Sequence, residues 1–257
     1  MATLEERGST RRGKIMTAWP RTLALFACAA TLGAASFAGT MTGQDPNDIE
    51  DLPAEEIALE AHDATEVVGL RAKGKMTFWS EQIRMDLALS PQGDCAGTIE
   101  QGGNTAELIR ADDASYLKGD ADFWKAADVD SDMVNQLADQ WVKISDQLEG
   151  AEDLAELCAL DSTLEPVVLS DLIVGGPGVT KGEVHKIDGK LAIPVTAKDG
   201  DVMVRIEVAT EGEPYILKLT ETGSDEPRDV AFSEFNQQVK VKTPDAEDVI
   251  DLETWES

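Results

Sequence analysis

Ile83-Arg84-Met85-Asp86-Leu87-Ala88-Leu89-Ser90-Pro91-Gln92-Gly93-Asp94-Cys95-Ala96-Gly97-Thr98-Ile99 decides the fold class. Ile83, Met85, Leu87 and Leu89 alternate with Arg84, Asp86, Ala88 and Ser90, the period-2 pattern of a strand with one covered face. Pro91-Gln92-Gly93 turns the chain into a second strand at 95–100, and Gly102-Gly103 turns it again into 105–110. A short strand at 115–118 closes the meander, and 70–79, ending in Met76-Thr77-Phe78-Trp79, precedes it.

The surrounding sequence adds helices and a second meander. Pro53 suits the first position of a helix whose Ala54, Ile57, Ala61, Ala64 and Val68 share a face and which Gly69 ends. Helical spacing covers 120–127, 131–141, 146–159 and 162–173, with Asp130 or Ser131 as a natural cap, until Gly175-Gly176-Pro177-Gly178 breaks the chain. Asp188-Gly189 and Asp199-Gly200 are type I′ hairpin signals that imply strands at about 180–187, 190–197 and 201–209. A strand at 214–221 puts Tyr215, Leu217 and Leu219 on one face, and further strands fall near 229–234 and 237–242. The tail 243–257 is acidic and reads as loosely attached. The sum is an α+β fold built on one large, strongly curved antiparallel sheet with helices over its concave face. The domain spans 53–250, with 39–52 as a linker and 251–257 as an acidic tail.

The N-terminus reads as an export segment. Arg11, Arg12, Lys14 and Arg21 precede 22–38 (TLALFACAATLGAASFA), which carries no charge. Ser36-Phe37-Ala38 fits cleavage after a small residue, and 17 apolar residues reach the lower limit of a spanning helix. So 1–38 is a signal peptide or an anchor. A competing reading takes Leu25-Phe26-Ala27-Cys28 as a lipobox with Cys28 acylated, although Phe26 is atypical of that pattern. Every version places 45–257 outside the cytoplasm, with the membrane reached through the N-terminus. The two remaining cysteines, Cys95 and Cys158, read as a disulfide in an oxidising compartment.

Charge removes one class of partner. The chain has 50 acidic and 22 basic residues, and the first 38 residues hold two and five of them. The remainder therefore carries 48 against 17, a net of −31, which repels nucleic acid and draws nothing from an anionic membrane surface. Catalytic signals are missing too. The two histidines, His62 and His185, accompany no G-x-S-x-G or S-x-x-K motif, so the chain reads as a non-enzyme. Asp128, Asp130 and Asp132 imitate a calcium loop, but Met133 stands where glycine is required and Asp139 where glutamate is preferred. Gly175–Gly178 lacks the Lys and Ser/Thr of a phosphate loop, and no cofactor or metal site is read. What remains is apolar. Phe78, Met85, Leu87, Leu89, Tyr116, Trp124, Trp141 and Leu217 are large residues on the sheet and its helices, and they line either a plain core or a ligand cavity.

Several stretches resemble the LppX/LprG-type envelope lipoproteins. They are Asp86–Ser90 with Gly93–Ile99, Tyr116–Asp120 leading to Phe123-Trp124-Lys125, Trp141-Val142-Lys143, and Val208-Ala209-Thr210 with Gly212–Tyr215. The resemblance spans about 53–250 in order. It implies a LolA-like half-open β-barrel with helices against its concave face, and a cavity that carries acylated lipid across the envelope. On that footing the first reading is a module binding a lipid or other lipophilic ligand in an apolar cavity. The alternative is an envelope sensor or scaffold that binds a protein partner and has no ligand cavity.

Overall fold

The quoted alternation becomes β2 (Glu81–Leu89), in which Ile83, Met85, Leu87 and Leu89 are each at most 2% exposed while Arg84 points to solvent. The computed structural model describes residues 45–66, 68–78, 81–127, 129–144, 151–169, 178–252 and 254. The 1–38 export reading, with Cys28, therefore lies outside the described residues, as do Trp79, Asp128 and 170–177. Residues 42–257 form one compact unit.

β1 (Leu70–Phe78), β2, β3 (Cys95–Gln101), β4 (Asn104–Ala111) and β5 (Ala114–Gly119) form an antiparallel meander in sequence order. β9 (Lys190–Asp199), β10 (Val202–Ala209), β11 (Ile216–Thr222) and β12 (Arg228–Ser233) form a second. They join where β12 pairs β1, with Ala72 opposite Phe232 and Gly74 opposite Val230. Two short strands, β7 (Thr180–Lys181) and β8 (His185–Ile187), both pair β9. β6 (Trp141–Ile144) extends the other side from β5, and β13 (Val249–Asp251) finishes it by pairing β6 in parallel. The result is one open, mixed, 13-stranded sheet among the described residues.

Five helices cover one face: α1 (Ala54–Glu66), α2 (Ala121–Ala126), α3 (Ser131–Leu137), α4 (Ala151–Cys158) and α5 (Leu160–Leu169). Glu55 and Glu56 sit in the first turn of α1, where carboxylates favour the helix dipole. Ile57, Ala58, Ala61 and Thr65 are buried, and the small alanines let α1 lie close over β9, β10 and β11. Thr65 Oγ1 donates to the Ala61 carbonyl at 2.6 Å and accepts the Ile216 amide at 2.9 Å, tying α1 to β11. Asp120 caps α2 by accepting the Phe123 amide at 2.8 Å.

A single core takes inward residues from β1–β6, β9–β12 and all five helices. Ten strands laid flat at about 4.8 Å spacing would span more than 40 Å, so sharing one core requires the sheet to curl around the helices. The expected disulfide is present. Cys95 on β3 bonds Cys158 at the end of α4 with a Cα–Cα distance of 5.4 Å, inside the bonding range of about 4.4–6.8 Å.

The structure departs from the sequence reading at identifiable places. The helix expected over 131–141 stops at Leu137, because Asp139 adopts a left-handed backbone (φ 61°) and its amide bonds the Gly119 carbonyl. Trp141, the last residue of that expected helix, instead begins β6, which runs on through Val142, Lys143 and Ile144. The strand expected over 180–187 breaks into β7 and β8, and 237–242 forms no regular strand. The two hairpin turns also differ. Asp188 and Gly189 both have positive φ, as type I′ requires, whereas at Gly200-Asp201 only Gly200 does (φ 58°), which is the type II′ pattern. Residues 45–52 of the expected linker belong to the folded unit: Pro46 bridges Glu211 and Ile49 is 2% exposed. The C-terminal stretch is also tied down, since β13 pairs β6 in parallel and Lys143 Nζ meets the Asp251 carboxylate at 2.8 Å. The sheet is therefore mixed rather than wholly antiparallel.

Candidate functional site

Strand register sorts the eight apolar candidates onto different faces. Met85, Leu87 and Leu89 lie inside the core, at 2%, 0% and 0% exposure, where side chains from the helices fill the space over them. Trp124 on α2 is buried in the same core and stacks edge-on against Phe123, with ring centroids 5.3 Å apart. Its Nε1 has no hydrogen-bond partner among the described residues. Tyr116 and Trp141 face the other way. They alternate with the buried Leu117 and Val142, and Trp141 lies under the Lys118 ammonium at 5.8 Å. Leu217 is also on the outer face. A β-bulge at Glu207/Val208 shifts the register so that Ile216 and Leu219 enter the main core, while Leu217 joins a second cluster with Ala192 and Ala209. Tyr215, expected on one face with Leu217 and Leu219, stacks on Phe235 beside that second cluster, with centroids 4.3 Å apart. The side chain of Phe78 lies outside the described residues.

Of the eight, Leu217 borders a hollow of about 310 Å³ with Tyr215 and Phe235, and Met85 one of about 590 Å³ among charged residues of β1–β3. A crevice of about 510 Å³ lies between α5 and the far ends of β9–β12. Pro166, Ala197, Val202 and Val204 give it an apolar wall. Sequence position explains the polar side. Glu221 follows Leu219 in the inward register of β11, and Arg228 precedes Val230 in that of β12, so a carboxylate and a guanidinium occupy positions that the pattern reserves for apolar groups. They meet as an ion pair, Arg228 Nε to Glu221 Oε2 at 3.1 Å, with side chains 9% and 12% exposed.

Arg228 is also bound from above. Pro166 sits inside α5 and has no amide hydrogen, so the Ser162 carbonyl four residues earlier loses its helical donor. Arg228 Nη1 donates to that carbonyl at 3.2 Å. One guanidinium thus satisfies the helix defect, fixes α5 over the sheet and pairs Glu221, while Nη2 lies 3.9 Å from Glu226. The two buried charges offset each other as an ion pair, although Arg228 Nε and Glu221 Oε2 make no hydrogen bond among the described residues. The cross-strand positions of Glu221 and Arg228 are the signal in the sequence that points to this crevice.

Elsewhere the titratable groups make local pairs. Arg71 and Lys73 on the outer face of β1 both bind Asp86 of β2, and the hydrogen bond from Arg71 holds the Asp86 carboxyl below its ordinary value. His62 lies 3.8 Å from Glu66 on α1, and His185 Nε2 lies 3.4 Å from Glu207, which also accepts from Arg205. No group of three or more His, Cys, Asp or Glu among the described residues could hold a metal ion. No helix among them is long and apolar enough to cross a membrane.

No protein-family profile matches the chain, and no curated protein matches it in sequence. Solved structures do resemble it. Mycobacterium tuberculosis lipoprotein LppX aligns with a TM-score of 0.51 at 13% identity, over 74% of this chain and 98% of LppX. LprF from Mycobacterium bovis aligns with a TM-score of 0.49 at 12% identity, over 74% of this chain and 96% of LprF. The match to LppX is a likeness of fold. The LppX/LprG-type fold read from the sequence motifs is the fold this chain adopts: an open sheet with helices on one face.

Proposed function

We propose that residues 42–257 form a non-enzymatic, extracytoplasmic module that binds or carries a lipophilic ligand, with the crevice under α5 as its binding site. The crevice carries this reading. It is concave, about 510 Å³, partly apolar, and sits between α5 and the ends of β9–β12. The LppX-like fold supports it. Affinity would come from burying an apolar chain against Pro166, Val202 and Val204, at about 25 cal/mol per Å². The N-terminal 1–38, as signal or anchor, would deliver the module to the envelope, with the membrane or an acylated Cys28 holding it there.

A second reading has one observation in its favour. The centre of the inner face, at Met85, Leu87 and Leu89, is filled, which suits a module that binds an envelope protein partner through its surface.

Organic extraction and mass spectrometry of protein taken from its native envelope separate the two. A carrier yields a co-purifying lipid, and Val202→Trp, which plugs the crevice from a half-buried position, abolishes it, with circular dichroism confirming the fold. Absence of any lipid from the unaltered protein defeats the carrier reading.

A further inference from the structure

We infer that the crevice selects amphiphiles whose head group carries an amine, and discriminates against carboxylate and other anionic heads. The inference rests on the carrier reading and specifies its ligand.

The charges around the mouth are unequal. Glu165 on α5, Asp199 at the end of β9, and Asp225 and Glu226 in the β11–β12 turn are exposed at the rim. Glu221 stands in the wall behind them. Against these five carboxylates the lining offers two cations, Lys198 and Arg228, a net of −3. Arg228 is already committed to Glu221, to the Ser162 carbonyl and to the flank of Glu226, and only 9% of its side chain is exposed. An anionic head would therefore find one exposed lysine and four rim carboxylates. A bound amphiphile with its chain against Val202, Val204 and Pro166 places its head at this rim, within a Debye length of about 8 Å at physiological salt. The domain's net −31 adds a field of the same sign. Specificity follows from repulsion of the wrong head as much as from attraction of the right one.

The test uses residues 42–257, which form one compact unit with its own core. Three probes share a twelve-carbon chain: dodecylammonium, a neutral glycerol ester of dodecanoic acid, and dodecanoate. Each is titrated below its micelle concentration at pH 7, in low and in high salt, by calorimetry. Dodecylammonium is expected to bind at least tenfold more tightly than dodecanoate in low salt, with the ratio shrinking as salt rises. Glu165→Gln with Asp225→Asn should bring the ratio towards one. Dodecanoate binding as tightly as the amine overturns the selectivity and leaves the carrier reading standing. A ratio indifferent to both salt and the rim substitutions also overturns it, since the preference would then not be electrostatic. Failure of all three probes on folded protein removes the carrier reading itself.

Discussion

Breaking the Cys95–Cys158 bond is the perturbation with the clearest expected size. The bond joins residues 63 apart in sequence. In the chain-entropy treatment, closing a loop of that length removes about 14 cal/mol/K from the unfolded ensemble, or about 4 kcal/mol at 25 °C. With a urea m-value of about 3 kcal/mol/M for a domain of this size, the midpoint should fall by about 1.4 M. Both sulfurs are wholly buried, so reduction should require opening of the fold, and a thiol reagent should react only after denaturant or reductant is added. The assay is urea unfolding of oxidised protein, of reduced protein and of the Cys95→Ala/Cys158→Ala double variant, followed by circular dichroism. Cys95→Ser and Cys158→Ser should each show the same loss, because either leaves the same loop open. The bond also pins the C-terminal end of α4, which leads directly into α5 over the crevice, so reduced protein should exchange the amides of α5 faster. Coincident unfolding curves for the oxidised and reduced forms would refute the reasoning, and with it the claim that the helical layer is fastened to the first meander at this point.

Three further outcomes follow from buried contacts and one shifted carboxyl. Thr65→Val removes the hydroxyl that accepts the Ile216 amide, leaving a buried donor unpaired, and should cost about 1–3 kcal/mol in urea unfolding. Leu87→Ala opens a hole in a fully buried position and should cost about 2–5 kcal/mol by the same measurement, with the far-ultraviolet spectrum preserved. Asp86 has its folded-state pKa depressed by Arg71, so its contribution is present above the unfolded carboxylate value of about 3.9 and disappears as pH falls through the lower folded value. Asp86→Asn should therefore be less stable than the parent by about 1 kcal/mol at pH 7, and the gap should close towards pH 3. A gap of constant size across that range would contradict the assignment.

The legible parts of this fold were those set by neighbours in sequence. The alternation at 83–89, the Pro91–Gly93 turn and the Asp188-Gly189 hairpin each have a local cause, and each appears as read. The disulfide was legible because composition left only one pair. Long-range pairing was not legible. Trp141 continues the helical spacing of 131–141 on paper, yet it opens a strand because β5 and β13 are available on either side of Trp141–Ile144. Leu217 obeys the period of its strand until a bulge reverses its face. The apolar candidates were chosen for size, and size does not report which face a residue occupies, so Tyr116 and Trp141 came out on the side away from the core. The crevice was marked by misfit instead: Glu221 and Arg228 continue two inward registers with charge, and that misfit was readable once the two strands were aligned.

The parallel pairing of β13 with β6 has a consequence for the order in which the molecule can assemble. Trp141 meets Val249 across 108 residues of intervening chain. A chain emerging N-terminus first must therefore hold the free edge of β6 open until β13 is present. During that interval the edge is a template for other strands. Contacts of such long sequence separation form late because their loop-closure entropy is met only after the intervening structure has condensed. β13 thus acts as a latch that closes the sheet's vulnerable border late in assembly. A truncation before Val249 would keep the fully buried core residues but leave β6 as an unpaired edge, and its first symptom would be association at high concentration rather than loss of secondary structure.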